Sequence, residues 1–280
     1  QRRFFNNAER FLKLADACRA ACADHPRDLV GIAPHSLRAV TPETLTEIVQ
    51  AAPEGPVHIH IAEQVKEVED CLAWSSARPV AWLLEHQPVD ARWCLVHATH
   101  MEPEERDRLA ASGAVAGLCP LTEANLGDGI FDGAAYHASG GRWGIGSDSH
   151  IRIDLAEELR LLEYSQRLRD RSRNVIAGKG GANGTALFTA ALTGGAQALG
   201  QPMGALTEGN GCDVVALNPH HPALIGKTQD DYLNGWLFAG DQSCVRDVWV
   251  SGEQVVKDGH HKDRDAILNA FSASMARLTA

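Results

Sequence analysis

The feature that most constrains the fold of this 280-residue chain is a regular alternation of short apolar runs with amphipathic helical patterns. Strands separated by helices are typical of a parallel sheet with crossover helices, so the pattern predicts an α/β architecture. In the first helical pattern between two of these strands, Thr41 is the expected N-cap and Pro42 occupies the first helical position. The predicted strands cover residues 28–34, 56–63, 92–99, 114–120 and 142–150.

Polar residues of the kinds used in catalysis follow each predicted strand. In a (β/α)8 barrel the carboxyl ends of the strands form the face that carries the chemistry. Five consecutive units with polar residues at the same end therefore predict the last five βα units of a (β/α)8 TIM-like barrel. The chain opens inside a helical pattern without a methionine, and we expect the missing units upstream of residue 1. The polar residues are, in strand order, His35 and Arg38, His60 and Glu63, His97, Asn125, and Asp148.

The sequence pattern changes near residue 205. From there to residue 262 the chain is β-rich, is punctuated by glycine and lacks intervening helical patterns, which predicts a small β-sandwich-type appendage. The last residues return to a helical period. We therefore predict a barrel segment over 1–204, an appendage over 205–262 and a C-terminal helix over 263–280.

Charge and cysteine content exclude several classes of partner. The net charge is −10 and the isoelectric point is near 5.7, which disfavours nucleic acid or an anionic membrane as the main partner. No apolar run approaches the roughly 20 residues that a membrane helix needs, and no secretory signal opens the chain. The seven cysteines form no C-x-x-C pair, so neither a disulfide framework nor a cysteine zinc site is expected. A reducing cytoplasm is the expected location.

A possible metal site is formed by His60, Glu63, His97 and Asp148, which occur in the order H-x-x-E, H and D at successive strand ends. Imidazole and carboxylate groups suit a divalent transition metal, with zinc the first candidate. His58 and His60 form an H-x-H pair, which alone is weak evidence for a metal site because nearby histidines often serve in packing. Glu63, three residues after His60, strengthens the prediction of a metal site, and so do His97 and Asp148.

Four motifs carry a resemblance to a known family. In order and spacing they resemble the aminohydrolase branch of the metal-dependent amidohydrolase superfamily, over the whole chain. Within that branch they are most similar to the enzymes of histidine degradation that deiminate N-formimino-L-glutamate. The motifs are HIHIAEQ (58–64), LVHATHM (95–101), CPLTEANLGDG (119–129) and GIGSDSH (144–150).

The resemblance implies a role for each motif residue. His60 would be a metal ligand, Glu63 a proton carrier, His97 the catalytic histidine, and Asp148 both a metal ligand and the base. His58 lies outside the family pattern, and we interpret it as a barrel-interior residue below the site. The family also has an H-x-H pair on its first barrel strand, which would have to lie upstream here. This chain alone would then bind metal poorly, since a stable zinc site needs three or more protein ligands. Ligand type does not distinguish zinc from iron or manganese.

The expected substrate is a small anion. Arg38 could hold a carboxylate with two parallel hydrogen bonds, and His35 could support the same anion. An ion pair with a nearby acidic residue explains Arg38 equally well on sequence alone, and the resemblance favours the substrate role. It also implies a homodimer.

Two alternatives remain open at this point. One is a related aminohydrolase acting on a purine, pterin or S-adenosylhomocysteine-like ring, which would not need Arg38. The other is an inactive barrel fragment that serves as an interaction piece of a larger assembly.

Overall fold

The computed structural model describes residues 5–24, 28–177 and 180–279. A parallel sheet with the strand order β1-β2-β3-β4 forms its centre. Its strands are β1 (Val57–Ile61), β2 (Trp93–His97), β3 (Val115–Leu118) and β4 (Arg142–Ile145). The helices before and between them are α1 (Ala8–Cys22), α2 (Pro42–Ala51), α3 (Val65–Ser75), α4 (Pro79–His86), α5 (Pro103–Ser112), α6 (Pro120–Leu126) and α7 (Gly133–Ala138). Two long helices follow, α8 (Leu155–Asp170) and α9 (Asn183–Leu199).

The α/β architecture with a parallel sheet is confirmed, and so is the predicted start of α2. The Thr41 side chain accepts a hydrogen bond from the Thr44 N–H, and Pro42 opens the helix. The predicted first strand, 28–34, is wrong as a regular strand. That segment forms one isolated parallel bridge at Ile32, and a second bridge lies beyond it at Ser36, because Pro34 between them has no N–H to donate to a ladder.

The main apolar core packs against one face of the parallel sheet, and a small separate cluster contains Cys94, Val115 and Ala198. In β1, Val57, Ile59 and Ile61 are buried, whereas His58 and His60 alternate with them and are half-buried. Helix α9 packs closely against β4. A Cβ atom added to Gly194 would lie 1.9 Å from the Trp143 carbonyl oxygen, so this approach requires glycine.

A second, antiparallel sheet with the order β5-β6-β7-β8 follows α9. It contains β5 (Val214–Leu217), β6 (Val245–Val250), β7 (Glu253–Lys257) and β8 (His260–His261), and α11 (Arg264–Thr279) comes after it. The prediction that this region lacks intervening helices is wrong, because α10 (Asp231–Ala239) lies between β5 and β6. Leu233, Trp236 and Leu237 give that helix an apolar spacing of three and four residues, and Trp236 and Leu237 are buried. The boundaries at 204 and 262 stay predictions.

None of the described helices combines the length and the hydrophobicity that crossing a membrane would require.

Candidate active site

His60 projects from β1 on the face opposite the apolar core, as strand alternation dictates. Its Nδ1–H donates to the carbonyl of His35 at 2.8 Å, and its backbone N–H donates to the same carbonyl at 3.0 Å. These two bonds fix the ring and its tautomer. They leave Nε2 with a free lone pair, which is the arrangement of a metal-binding histidine.

Glu63 lies on a tight turn that follows β1. Ala62 adopts a left-handed conformation with φ of +49°, which costs energy in a residue other than glycine. The buried carboxylate of Glu67 stabilises the turn, because it accepts the backbone N–H groups of Ala62 and Glu63, each at 3.0 Å. The Glu63 side chain is thereby held between Arg38, whose Nη2 lies 2.9 Å from Oε2, and His97, whose Nε2 lies 3.8 Å from Oε1.

His97 ends β2 in an unusual conformation. The strand register pairs Ile61 with His97, so alternation alone would direct His97 toward the core rather than toward His60. The left-handed conformation of His97, with φ of +69°, breaks that alternation. The ring centroids of His60 and His97 are 5.6 Å apart. The Nε2 atom of His97 is buried without a hydrogen-bond partner among the described residues, and it lies 4.0 Å from the Asp148 carboxylate.

The surroundings of His97 affect its pKa in two opposite directions. Burial lowers the pKa of His97, but a hydrogen bond to Glu123 and the negative charges of Glu123, Glu63 and Asp148 outweigh burial, so the pKa is raised overall. The imidazole therefore holds its second proton to higher pH than an ordinary histidine does. A proton donor or a cation at this position would stabilise negative charge that develops on a bound substrate.

Asp148 lies on the turn after β4. Its backbone is left-handed, with φ of +50°, and its side chain is 34 % exposed. The buried Thr122 of α6 stabilises this turn. The Thr122 hydroxyl is 3.0 Å from the Ser147 carbonyl and 2.8 Å from the Ser149 hydroxyl, and it accepts the Ser149 N–H at 3.2 Å.

The two predicted substrate-binding residues lie beside this group. The His35 ring stacks on His60, with ring centroids 5.0 Å apart. Burial, followed by the positive charges of His60 and Arg38, lowers the pKa of His35, which therefore stays neutral near pH 7. Arg38 contacts Glu63 and lies 3.8 Å from Glu67, so its guanidinium pairs with acidic residues of the site itself.

Three other polar residues of the motif segments lie apart from this group. His58 Nε2–H donates to the Ala198 carbonyl at 2.8 Å. His100 bonds to the Asp128 carbonyl through Nε2 at 2.7 Å, and Asn125 is exposed on α6. The structure thus brings together His35, Arg38, His60, Glu63, His97 and Asp148.

Two buried glutamates that support the site were missed in the sequence. Glu67 lies four residues after Glu63 and accepts its N–H, and Glu123 lies four residues after Cys119 and accepts its N–H at 2.9 Å. In both cases a carboxylate one helical turn past a strand end folds back onto the backbone there. A glutamate at plus four from a strand-end residue is the signal that could have identified them.

Two of the gathered residues could bind a metal ion. His60 Nε2 and the Asp148 carboxylate are of the right chemical type for a divalent transition metal, but they are fewer than the three or more protein ligands of a stable site. Ligand atoms of His97, Cys119 and Glu123 also lie within 4.8 Å of one another. We assign that group to hydrogen bonding, because Glu123 is bonded to His97, and burial raises the pKa of the Cys119 thiol so that it keeps its proton.

Comparison with known proteins agrees with this geometry. Residues 4–255 match the amidohydrolase family. The chain is 51% identical to formimidoylglutamate deiminase of Pseudomonas aeruginosa, over 99% of the chain and 62% of that protein. It is 30% identical to 5-methylthioadenosine/S-adenosylhomocysteine deaminase of Shouchella clausii, over 88% of the chain and 57% of that protein. The chain therefore spans less than two thirds of the length of these relatives.

Solved structures agree on the fold. An amidohydrolase from Brucella melitensis superposes with a TM-score of 0.96 and is 51% identical, covering 100% of this chain and 62% of that one. A zinc-bound adenosine deaminase from Xanthomonas campestris superposes with a TM-score of 0.84 at 24% identity, covering 95% of this chain and 60% of that one. With the family match over residues 4–255 and the parallel sheet in place, the chain belongs to the amidohydrolase family.

Proposed function

We propose that the whole protein hydrolyses N-formimino-L-glutamate to N-formyl-L-glutamate and ammonia. The observation that carries the proposal is Arg38, a guanidinium 2.9 Å from Glu63 at the edge of the candidate active site. Both contacts of Arg38 with acidic residues use Nη2, so Nε and Nη1 have no acidic partner among the described residues and can bind an anionic substrate in a protein whose net charge is −10. The 51% identity to a formimidoylglutamate deiminase supports the same reaction.

Substrate recognition would rest on Arg38 and His35. The planar guanidinium can offer two parallel N–H groups to a carboxylate of the glutamate moiety. His35, neutral because its pKa is lowered, can add a hydrogen bond without adding charge. The Arg38 side chain is 36% exposed, so it is accessible to a ligand.

His60 and Asp148 would bind one divalent metal ion, with zinc the first candidate because zinc-bound relatives share the fold. The remaining ligands would come from an upstream part of the protein, which would also complete a (β/α)8 barrel. When bound, such an ion acts as a Lewis acid and lowers the pKa of a coordinated water molecule toward about 7.

The residues of this chain would move the protons. Asp148 takes a proton from the attacking water molecule, whose oxygen forms a bond to the formimino carbon. His97, protonated at Nε2 as well as at Nδ1, stabilises the negative charge that develops by donating from Nε2–H. Glu63 delivers a proton to the formimino nitrogen as the oxygen adds, and Asp148 then passes the proton from water to the same nitrogen. The C–N bond breaks, ammonia leaves, and Glu63 takes back the hydroxyl proton as the formyl C=O forms. Water is the only co-reactant, and no side chain acts as a nucleophile.

The discriminating experiment measures ammonia release by the full-length, zinc-loaded protein. With N-formimino-L-glutamate, we expect Arg38→Met to lower kcat/KM by about 100-fold or more, because a charged, bidentate contact is lost. Arg108→Met serves as the matched control, since Arg108 is an exposed cation that pairs with Glu85 away from the site, and it should leave turnover unchanged.

The competing function is deamination of a nucleoside-like ring, which the 30% identity to an S-adenosylhomocysteine deaminase favours. S-adenosylhomocysteine is therefore the second substrate in the same assay. Turnover of that compound by the wild-type protein, unaffected by Arg38→Met and without turnover of N-formimino-L-glutamate, would replace our proposal with the ring deaminase.

A further inference from the structure

Glu123, a buried residue of α6, contacts the catalytic histidine candidate directly. A single carboxylate oxygen, Oε1, lies 3.2 Å from His97 Nδ1 and also accepts the Cys119 N–H at 2.9 Å. Glu123 is 4% exposed, so both bonds are shielded from solvent. One oxygen therefore links the end of β2 to the segment that follows β3.

The contact with Glu123 determines that Nδ1 of His97 carries a proton and points away from the reacting atoms. An ionised carboxylate only accepts hydrogen bonds, so His97 Nδ1 has to be the donor. Nε2 is then the nitrogen left for the reaction, and it is the atom that lies 3.8 Å from Glu63 and 4.0 Å from Asp148. The left-handed backbone of His97 needs such a tether, because strand alternation alone would direct the ring elsewhere.

We propose that Glu123 is a positioning residue that accepts the Nδ1–H of His97 and thereby directs Nε2 toward the reacting atoms. This inference rests on the proposed deiminase reaction for its kinetic test, and on the His97 geometry alone for its spectroscopic test. Glu123 does not touch substrate in this account. It acts through His97, as the carboxylate partner of a catalytic histidine does in other enzymes.

The alternative explanation is that Glu123 only caps α6. The chain contains a matched control for that explanation. Glu158 is also buried, and its Oε2 accepts the Leu121 N–H of the same helix at 2.8 Å, but no contact joins it to His97. Glu158→Ala therefore removes an acceptor at the start of α6 without removing the acceptor of His97 Nδ1–H.

The kinetic test compares Glu123→Ala, Glu123→Gln and Glu158→Ala in the full-length, zinc-loaded protein with N-formimino-L-glutamate. We expect Glu123→Ala to lower kcat by about 100-fold with little change in KM, because proton transfer and charge stabilisation are lost while substrate contacts remain. Glu123→Gln should retain most of the activity, since an amide oxygen can accept both bonds that Oε1 accepts. Glu158→Ala, which removes only the acceptor of the Leu121 N–H, should leave kcat near the wild-type value.

A cavity of about 240 Å³ beside α6 permits a rescue experiment. Glu123 lines it together with Ala124, Ile130 and Phe131, so a small molecule can occupy the space that Glu123→Ala opens. We expect formate to restore part of the lost kcat, because it supplies an anionic acceptor for Nδ1–H. Formamide, whose amide oxygen accepts the same proton, should also restore activity, whereas methylammonium, which is of similar size and has no acceptor, should restore none. Equal rescue by formate and methylammonium would contradict the proposal.

The spectroscopic test needs no substrate. In the full-length protein labelled with 15N-histidine, the Nδ1–H proton of His97 should give a downfield resonance, absent in Glu123→Ala and retained in Glu123→Gln and Glu158→Ala. Retention in Glu123→Ala, or an unchanged kcat in that variant, would overturn the proposal. If the wild-type protein released no ammonia from N-formimino-L-glutamate, the proposed function would fail, while the resonance would still decide the role of Glu123.

Discussion

The substitution Glu158→Gln should stabilise the protein at alkaline pH and lose that effect at acidic pH. Glu158 of α8 is 1% exposed, its Oε2 accepts the Leu121 N–H, and its Oε1 has no partner among the described residues. Burial raises its pKa from 4.5 to about 7, the Leu121 bond opposes that shift, and the negative charge of Glu123 adds to it.

The sign of the effect follows from the two protonation states. The folded protein holds the Glu158 proton more tightly than the unfolded chain, so the free energy of unfolding falls as pH rises from about 4.5 to about 7. At about 1.4 kcal/mol for each pKa unit, the ionised carboxylate costs about 3 kcal/mol above that range. Below it, the group is protonated in both states and the cost disappears.

Glutamine removes the charge and retains an oxygen for the Leu121 N–H, while its new amide N–H groups lack a partner. We therefore expect a net gain of about 1–2 kcal/mol at about pH 8 and a net loss of about 1–2 kcal/mol at about pH 4, where only the cost of the unpartnered amide remains. Urea unfolding of the full-length protein at the two pH values, followed by circular dichroism, measures the difference. A change in the free energy of unfolding that is the same at both pH values would refute the reasoning.

Two further substitutions test how the site is held. Thr122→Val removes the hydroxyl that stabilises the Asp148 turn. It should weaken zinc binding by about 10-fold, measured by competition with a chelator. An unchanged zinc affinity would show that Thr122 does not hold Asp148 in place. Glu67→Gln leaves one of two backbone N–H groups without an acceptor and should lower the free energy of unfolding by about 1–3 kcal/mol, measured with urea. A Glu67→Gln protein as stable as the wild type would show that the turn carrying Glu63 does not depend on this carboxylate.

Much of the fold could be predicted because the pattern is local. The four strands of the parallel sheet are apolar runs bounded by turn residues, and the cap of α2 is a local signal at Thr41. The segment 28–34 was misread because it has a strand composition, and only its register against β1 shows that Pro34 interrupts the ladder. Helix α10 was missed because the glycines around it are typical of the turns between strands in a β-rich region.

The candidate active site was predicted in its residue types but not in its supporting contacts. His60 and Asp148 follow strands, so their convergence could be inferred from topology. Glu67 lies in an acidic stretch that is typical of a solvated helix face, and Glu123 lies in a short helix, so residue type alone does not show that either is buried. Only their spacing of four residues from a strand-end position distinguishes them. The left-handed conformation of His97 is also invisible in sequence, because it depends on tertiary contacts.

The most direct test of the account is the location of the metal ion in a crystal of the full-length protein, determined by anomalous diffraction at the zinc edge. We predict a single peak bonded to His60 Nε2 and to the Asp148 carboxylate, with Glu63 and His97 nearby and not bonded to it. A peak at the group formed by His97, Cys119 and Glu123, or no peak beside His60, would contradict the proposed division between metal binding and proton transfer.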